Sequence, residues 1–378
     1  MNVEEHAAKP LVAVHGIAIP DGAVADTPEA AAEIAARLGP VVVKAQVAAG
    51  KRGKAGGVKP ADDPAAAESA AADILGMDIA GHTVGSVLVE ARADIARELY
   101  AAVLADTEGK CPMVVFSAMG GMDIEEVAAR DPGAVKRIQV DIAEGLSDAE
   151  AIALIQDADL GPATPAVADA VAALYRTYCE TDAEMVEINP LAVTSEGQVL
   201  ALDCKFVLDD GAADRQGLVA SLAVLEPMTD LEARGRGHGL RYIELDGNVG
   251  VLANGAGLTM TTMDAVTHYG GRPANFLEIG GEAYTKAVPA LELVLANPNV
   301  RSLVVNFCGA FARCDVMTEG VIDAWETLQP DLPVFFSIHG TGEDQAVAML
   351  RERLGMEPFD LMDDAVKAAI EAAAEAAK

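Results

Sequence analysis

The chain has 378 residues, too long for one ordinary core, so two or three domains are expected. Its formal net charge of -32 excludes a broad nucleic-acid face or attraction to an anionic membrane, because long-range repulsion opposes both. A hydrophobic fraction of 51% with only 4% aromatic residues points to globular cores built from Ala, Val, Leu and Ile. Five scattered cysteines without a CxxC pair indicate neither a disulfide framework nor a zinc site, and a reducing cytoplasm is the expected compartment. Residues 1–10 lack the basic start and apolar core of a signal peptide, and no apolar run approaches the ~20 residues of a membrane-spanning helix.

Residues 27–38 carry a full helix signature, with Thr27 as N-cap, Pro28 and Glu29 in the first turn and Gly39 past the end. The same grammar recurs at Asp63, Pro64 and Gly76, and between the two lies a buried strand, 41–43, ending at Lys44. The loop 49–57, AGKRGKAGG, interleaves four glycines with Lys51, Arg52 and Lys54 in an otherwise acidic chain. Its N–H groups and cationic heads suit a polyphosphate. It is not a Walker A motif, since no Gly-Lys precedes Ser or Thr, and a solvated basic turn is the alternative.

A strand over 86–89 ends at Glu90, and apolar stretches follow at 95–104 and 113–116. Ser147 and Glu150 form a capping box that opens a helix running to about Ile155, and the Ala-rich stretch 165–178 reads as an amphipathic helix. That helix delivers the chain to residues 185–205. There, runs at 192–194 and 199–202 flank Ser195-Glu196-Gly197 as a short hairpin, with Glu187, Asn189 and Asp203 at its ends. Carboxylate and amide oxygens without Cys or His form a hard donor set that suits Mg²⁺ better than zinc.

The charge-rich stretch 226–241 marks the domain boundary: a nucleotide-binding domain over 1–228, a linker over 229–241 and a second domain over 242–378. Short buried strands at 249–252, 275–277, 302–307 and 334–338, each followed by a small-residue turn and a helical stretch, imply a parallel sheet with helices on both faces. Ligands bind such sheets at the carboxyl ends of their strands. Those ends carry the loops 254–257, 278–282, 308–315 and 339–342, suited to anionic groups. The tail 363–378 is expected as a surface helix.

Taken in order, KAQVAAGKRGKAGGVK, LVE followed by DIARELY, GGMDIEEVA, EINPLAV with ALDCK, NGAGLTMTTMD, GGRPANFLEIGG and ARCDVMTEG resemble the β subunits of succinate-CoA ligases and their malate-CoA ligase relatives. The resemblance runs from about residue 6 to about 354. It implies an α/β chain with an N-terminal ATP-grasp fold followed by a flavodoxin-like, doubly wound parallel-sheet ligase domain. It further implies an α subunit that supplies the CoA site and a phosphohistidine. On this resemblance Lys44, Arg52 and Gly53, with Lys51 in the same loop, contact the phosphates of ATP, with GTP the alternative nucleotide. Glu90, Ala93 and Glu98 border the adenosine, Asn189 and Asp203 hold Mg²⁺, and Glu187 orients the partner's histidine. Asn254 and Ala310, Phe311 and Ala312 face a small carboxylate.

Departures from the family pattern cluster near the acyl site. Gly309-Ala310-Phe311 stands where Gly-Gly-Ile is usual, Glu282 where a third glycine is usual, and residues 337–342 replace Arg-Leu-Glu-Gly-Thr-Asn. In the phosphate loop Lys51 replaces a glycine. The expectation is ATP chemistry retained with an altered carboxylate: succinate by default, malate or another small acid in competition, and a non-catalytic regulatory paralogue as the contrasting reading. His339 is expected as a structural histidine rather than the phosphoryl carrier.

Overall fold

The computed structural model describes residues 1–50, 52–224 and 228–376, apart from the side chain of residue 284. It divides into two compact units, Met1–Pro227 and Met228–Lys378.

Among its described residues the first unit contains two large antiparallel sheets and a two-stranded one, Asp78–Ile79 with His82–Thr83. In the smaller of the two large sheets, the order is Gly22–Ala25, Ser86–Ala91, Val41–Gln46 and Val58–Ala61. The helices Pro28–Leu38 and Pro64–Ile74 pack on it, each opened as expected, Thr27 accepting from Ala30 N and Asp63 from Ala66 N. Strand alternation then decides what faces where. Val41, Val43 and Ala45 enter the core under these helices, with Val87 and Val89 beside them, while Val42, Lys44 and Glu90 line a cavity on the opposite side.

The larger sheet runs Val135–Gln139, Cys111–Ser117, Ile95–Asp106, Ala183–Thr194, Lys205–Leu208, Asn2–Val3 and Ala223–Val224, with Val199–Ala201 paired onto Ala183–Thr194. One of its faces is covered by the helices Glu5–Val14, Asp148–Ile155 and Thr164–Glu180, which bury Leu99, Ala101 and Val103. Tyr100 and Ala102 alternate to the other face. The expected hairpin is present, with Leu191 opposite Ala201, Val193 opposite Val199, and Gly197 in the left-handed region at φ 84°. The capping box at Ser147 and Glu150 also forms.

In the second unit Val249–Ala253, Ser302–Gly309 and Val334–Gly340 form a parallel sheet, and Asn275–Leu277 lies beside Val249–Ala253 through parallel bridges at Val249 and Ala253. Tyr242–Glu244 adds an antiparallel edge strand. Leu252, Leu303, Val305 and Phe307 pack toward the helices Ala283–Ala296 and Cys314–Leu328. Val249, Val251 and Val304 pack on the other side, against Val266 of Ala256–His268 and Val366 of Met362–Glu375. Helices on both faces make the sheet doubly wound, as the alternating pattern predicted.

Two expectations change. Residues 229–241, read as a linker, contain the helix Asp230–Gly237, opened by a Thr229–Glu232 capping box, and Leu240 enters the second core. Few apolar residues in a charged stretch hid it. The tail helix is not merely a surface element, because Met362–Glu375 buries Ala365, Val366, Ala369 and Ala373. Small side chains at helical spacing let it lie close to the sheet without an obvious apolar stripe.

Candidate active site

A cavity of about 570 Å³ lies within the first unit, bordered by Val42, Lys44 and Glu90 of the smaller sheet, the loop around Arg52 and Gly53, and Glu187, Asn189 and Asp203 of the larger sheet side. Ala93 and Glu98 line it as well. Thus every expected nucleotide and metal residue that is described borders one space; Lys51 lies outside the described residues.

The floor of this cavity is ionic. Lys44 Nζ donates to Glu5 Oε1 at 2.9 Å, to Glu90 Oε2 at 2.6 Å and to the carbonyl of Leu202. Lys9 Nζ donates to both oxygens of Glu90 at 2.6 Å, lies 2.8 Å from Glu5 Oε1 and also reaches the Leu202 carbonyl at 2.9 Å. Arg52 reaches Ala45 O at 2.9 Å, Asp203 Oδ1 at 2.6 Å and Glu5 Oε2 at 2.7 Å. Glu5, Lys9, Lys44, Arg52 and Glu90 are all buried. Burial alone would raise the Glu5 carboxyl, but Lys44, Lys9 and Arg52 hold it far below the usual carboxylate range. Burial alone would lower the Lys44 ammonium, but Glu5 and Glu90 hold it above the usual lysine range. Both groups are therefore charged throughout the physiological range.

Glu5 and Lys9 were missed as site residues. The signal was present: on the helix Glu5–Val14 they sit at positions 5 and 9, flanking Ala8 and Val12 on the buried stripe. Charges at apolar-stripe positions four residues apart, each needing a buried partner, mark a functional or structural ion cluster. Glu90 borders the cavity with its carboxylate paired to both Lys9 and Lys44.

At the other end of the cavity Glu187 accepts from Tyr100 Oη at 2.8 Å. Burial pushes the Glu187 carboxyl above its ordinary value, against that hydrogen bond and the nearby Lys205. Asn189 is clamped to the turn after Cys111–Ser117: its Oδ1 accepts from Gly121 N and its Nδ2 donates to Met122 O, both at 2.8 Å. Asp203 Oδ1 is shared between Arg52 and Cys204 N. Among the described residues no three His, Cys, Asp or Glu side chains converge as a metal cage. One carboxylate and one amide oxygen on an open cavity fit Mg²⁺, which keeps water and phosphate oxygens and takes only one or two protein ligands.

The edge of the second unit's sheet is different. Asn254 was expected to face a carboxylate, but its side-chain amide pairs with the backbone of Cys308, accepting from the N–H at 2.7 Å and donating to the carbonyl at 3.0 Å. The parallel ladder between these strands ends at Ala253 and Asn306, and the Asn254 side chain continues it. Ala310 and Phe311 are exposed, Phe311 completely at 105%, and Ala312 is half-buried. His339 Nδ1 lies 3.6 Å from Glu343 Oε1, while Glu343 Oε2 accepts from Gly340 N.

Residues 2–193 match the ATP-grasp domain model and residues 252–374 the CoA-ligase model. The succinate-CoA ligase [ADP-forming] β subunit of Rubrobacter xylanophilus is 44% identical over 378 residues, covering 99% of both chains. The chain belongs to the succinate-CoA ligase β-subunit family. It is thus a member of a family of acid-thiol ligases. A GDP-forming β subunit from Thermus thermophilus is likewise 44% identical, over 93% of each chain. Among solved structures, the ATP citrate lyase of Methanothrix soehngenii in complex with citrate and coenzyme A shares the fold, with a TM-score of 0.75 and 24% identity over 98% of this chain and 99% of that one. Among the described residues no helix is long and apolar enough to cross a membrane.

Proposed function

We propose that the chain is the β subunit of an ADP-forming carboxylate-CoA ligase that works with an α subunit in the cytoplasm, converting ATP, a small carboxylate and CoA to ADP, phosphate and acyl-CoA. The observation that carries this is that one cavity brings the cations Lys44 and Arg52 together with the oxygen donors Glu187, Asn189 and Asp203. A nucleoside triphosphate needs both: cations for its phosphates and hard oxygens for the accompanying metal.

In this reading Asp203 and Asn189 hold Mg²⁺, which when bound neutralises charge on the transferring phosphoryl group. Lys44 and Arg52 bind phosphate oxygens, and the N–H groups of the loop around Gly53 lie beside them. Ala93 and Glu98 border the nucleoside part of the cavity. Glu187, its carboxyl raised by burial and oriented by Tyr100, faces the phosphohistidine of the α subunit and steadies that imidazole by a hydrogen bond. The α subunit carries the principal CoA contacts. Transfer is then mainly a matter of positioning. The domain assignment, nucleotide-binding over 1–228 and ligase over 242–378, belongs to the same proposal, as do GTP as a competing nucleotide and the 310–312 loop as the carboxylate-facing segment.

Co-expression with the α subunit and a screen of carboxylates for CoA-dependent ADP release tests the proposal. Release with at least one small acid is expected; none with any acid, from a folded complex, would sink it in favour of a regulatory paralogue. A second reading, an acid other than succinate, is favoured by the fully exposed aromatic ring of Phe311 on that loop.

A further inference from the structure

Six ionisable side chains, Glu5, Glu90, Asp203, Lys9, Lys44 and Arg52, meet at the cavity floor, and their formal charges cancel. Five of them border the cavity. Lys9 does not, and it is only 1% exposed. Lys44 has three N–H donors, and all three are directed at protein acceptors. Arg52 likewise holds Asp203 and Glu5. For Lys44 and Arg52 to bind phosphate, and for Asp203 to turn to a metal, each must leave part of this network. Glu5 and Glu90 then remain as two buried carboxylates, a state that is costly unless a cation stays with them.

The only member of the cluster placed to stay is Lys9. It bridges both oxygens of Glu90 and lies 2.8 Å from Glu5, so its contacts persist whichever way Lys44 points. We infer that Lys9 is a positioning residue for nucleotide binding, a resident counter-cation that neutralises Glu5 and Glu90 and so releases Lys44 and Arg52 to the phosphates. Without it Lys44 is the one remaining cation of the cluster that touches both carboxylates, and it is retained by them. Lys9 acts through Lys44 and makes no contact with nucleotide. The inference rests on the nucleotide reading of the cavity.

The test is the affinity of the full chain for Mg-ATP by calorimetry, with KM and kcat of the complex with its α subunit, for wild type, Lys9→Met, Lys9→Met/Glu5→Gln and Lys44→Met. For Lys9→Met the Kd and the KM for nucleotide rise at least about tenfold while kcat stays within about threefold, the pattern of lost binding rather than lost chemistry. The double variant, which removes a carboxylate along with the ammonium, returns the Kd to within about threefold of wild type, a coupling that a merely structural lysine would not show. Should Lys9→Met alone fail to fold, the double variant decides: near-wild-type affinity supports the proposal, and affinity about tenfold weaker overturns it. A folded Lys9→Met with wild-type Kd overturns it too. Wild-type chain that binds no Mg-ATP, or binding indifferent to Lys44→Met, overturns the nucleotide reading and this inference with it. Binding that is lost with Lys44→Met but untouched by Lys9→Met overturns only the role of Lys9.

Discussion

The cavity of the first unit and the sheet edge of the second are built by opposite means. In the cavity, charged groups from four separate stretches, around Glu5, Lys44, Glu90 and Asp203, are locked to one another by ion pairs of 2.6 to 2.9 Å, most of them out of water. At the sheet edge Arg313 grips Asp315 two residues on, Glu343 bonds Gly340 three residues back, Asn254 continues a strand ladder, and the loop tips are exposed. A site of the first kind resists change, because each member leaves an uncompensated charge when altered. A site of the second kind tolerates substitution at its tips. The departures from the family pattern lie mainly in the second.

The sharpest way to break this contrast is at Asp203. Its Oδ1 is bonded to Arg52 and Cys204 N, and its side chain is 40% exposed, so Asp203→Ala should leave the fold intact, with Arg52 still held by Glu5 and Ala45 O. Turnover should fall by at least about 10²-fold, since the metal contributes several kcal/mol of charge stabilisation. ADP release titrated with Mg²⁺ measures this, and unchanged turnover would refute the metal assignment.

Glu5→Gln attacks the cluster from inside. Three cations lose a shared, fully buried partner, and unfolding in urea should show a loss of about 3–5 kcal/mol. The pH dependence has a definite sign. The folded Glu5 carboxyl lies far below its unfolded value of ~4.3, so its contribution is present above that value and is lost as pH falls toward the folded one. The variant should therefore show a flatter loss of stability on the acid side; an acid slope identical to wild type would remove Glu5 from the hub of the cluster.

Tyr100→Phe has a smaller effect. Burial raises the Glu187 carboxyl, and the Tyr100 hydrogen bond is the main opposing influence. A hydrogen bond to a charged group contributes about 1.5–3 kcal/mol, so its loss should move the acid limb of kcat/KM upward by about one to two pH units. An unshifted limb would mean that Glu187 does not work in its ionised form.

How much of this was legible in the sequence follows the same contrast. Features set by local rules were readable: the caps at Thr27 and Asp63, the capping box at Ser147, the hairpin turn at Gly197, and the strands Val249–Ala253, Asn275–Leu277, Ser302–Gly309 and Val334–Gly340 of the second unit. The family pattern gathered Lys44, Arg52, Glu187, Asn189 and Asp203, and they do border one cavity. Pairings that cross the chain were not readable. Nothing local says that Lys9 meets Glu90 or that Arg52 meets Asp203, 81 and 151 residues apart. Likewise the pairing of the Asn254 amide with the Cys308 backbone was not readable, because Cys308 lies on another strand 54 residues away. The edge strand Tyr242–Glu244 and the helix Asp230–Gly237 escaped for want of an apolar period long enough to register.

The gentlest prediction concerns the loop tip. Phe311 is fully exposed and Ala310 exposed, so Phe311→Ile with Ala310→Gly should change stability by no more than about 0.5 kcal/mol. If this loop faces the carboxylate, the same pair should shift acid preference toward succinate by about tenfold, the scale on which a modest change of apolar volume discriminates substrates. The ratio of kcat/KM for succinate and for the best acid found in the screen is the measurement. An unchanged ratio would mean that the ring at residue 311 does not choose the acid, and would leave the case for an altered acyl pocket on Glu282 and the 337–342 loop. A shift without loss of stability would show that specificity in this family member resides where the fold is least committed, in loop tips rather than among the buried charges of the first unit.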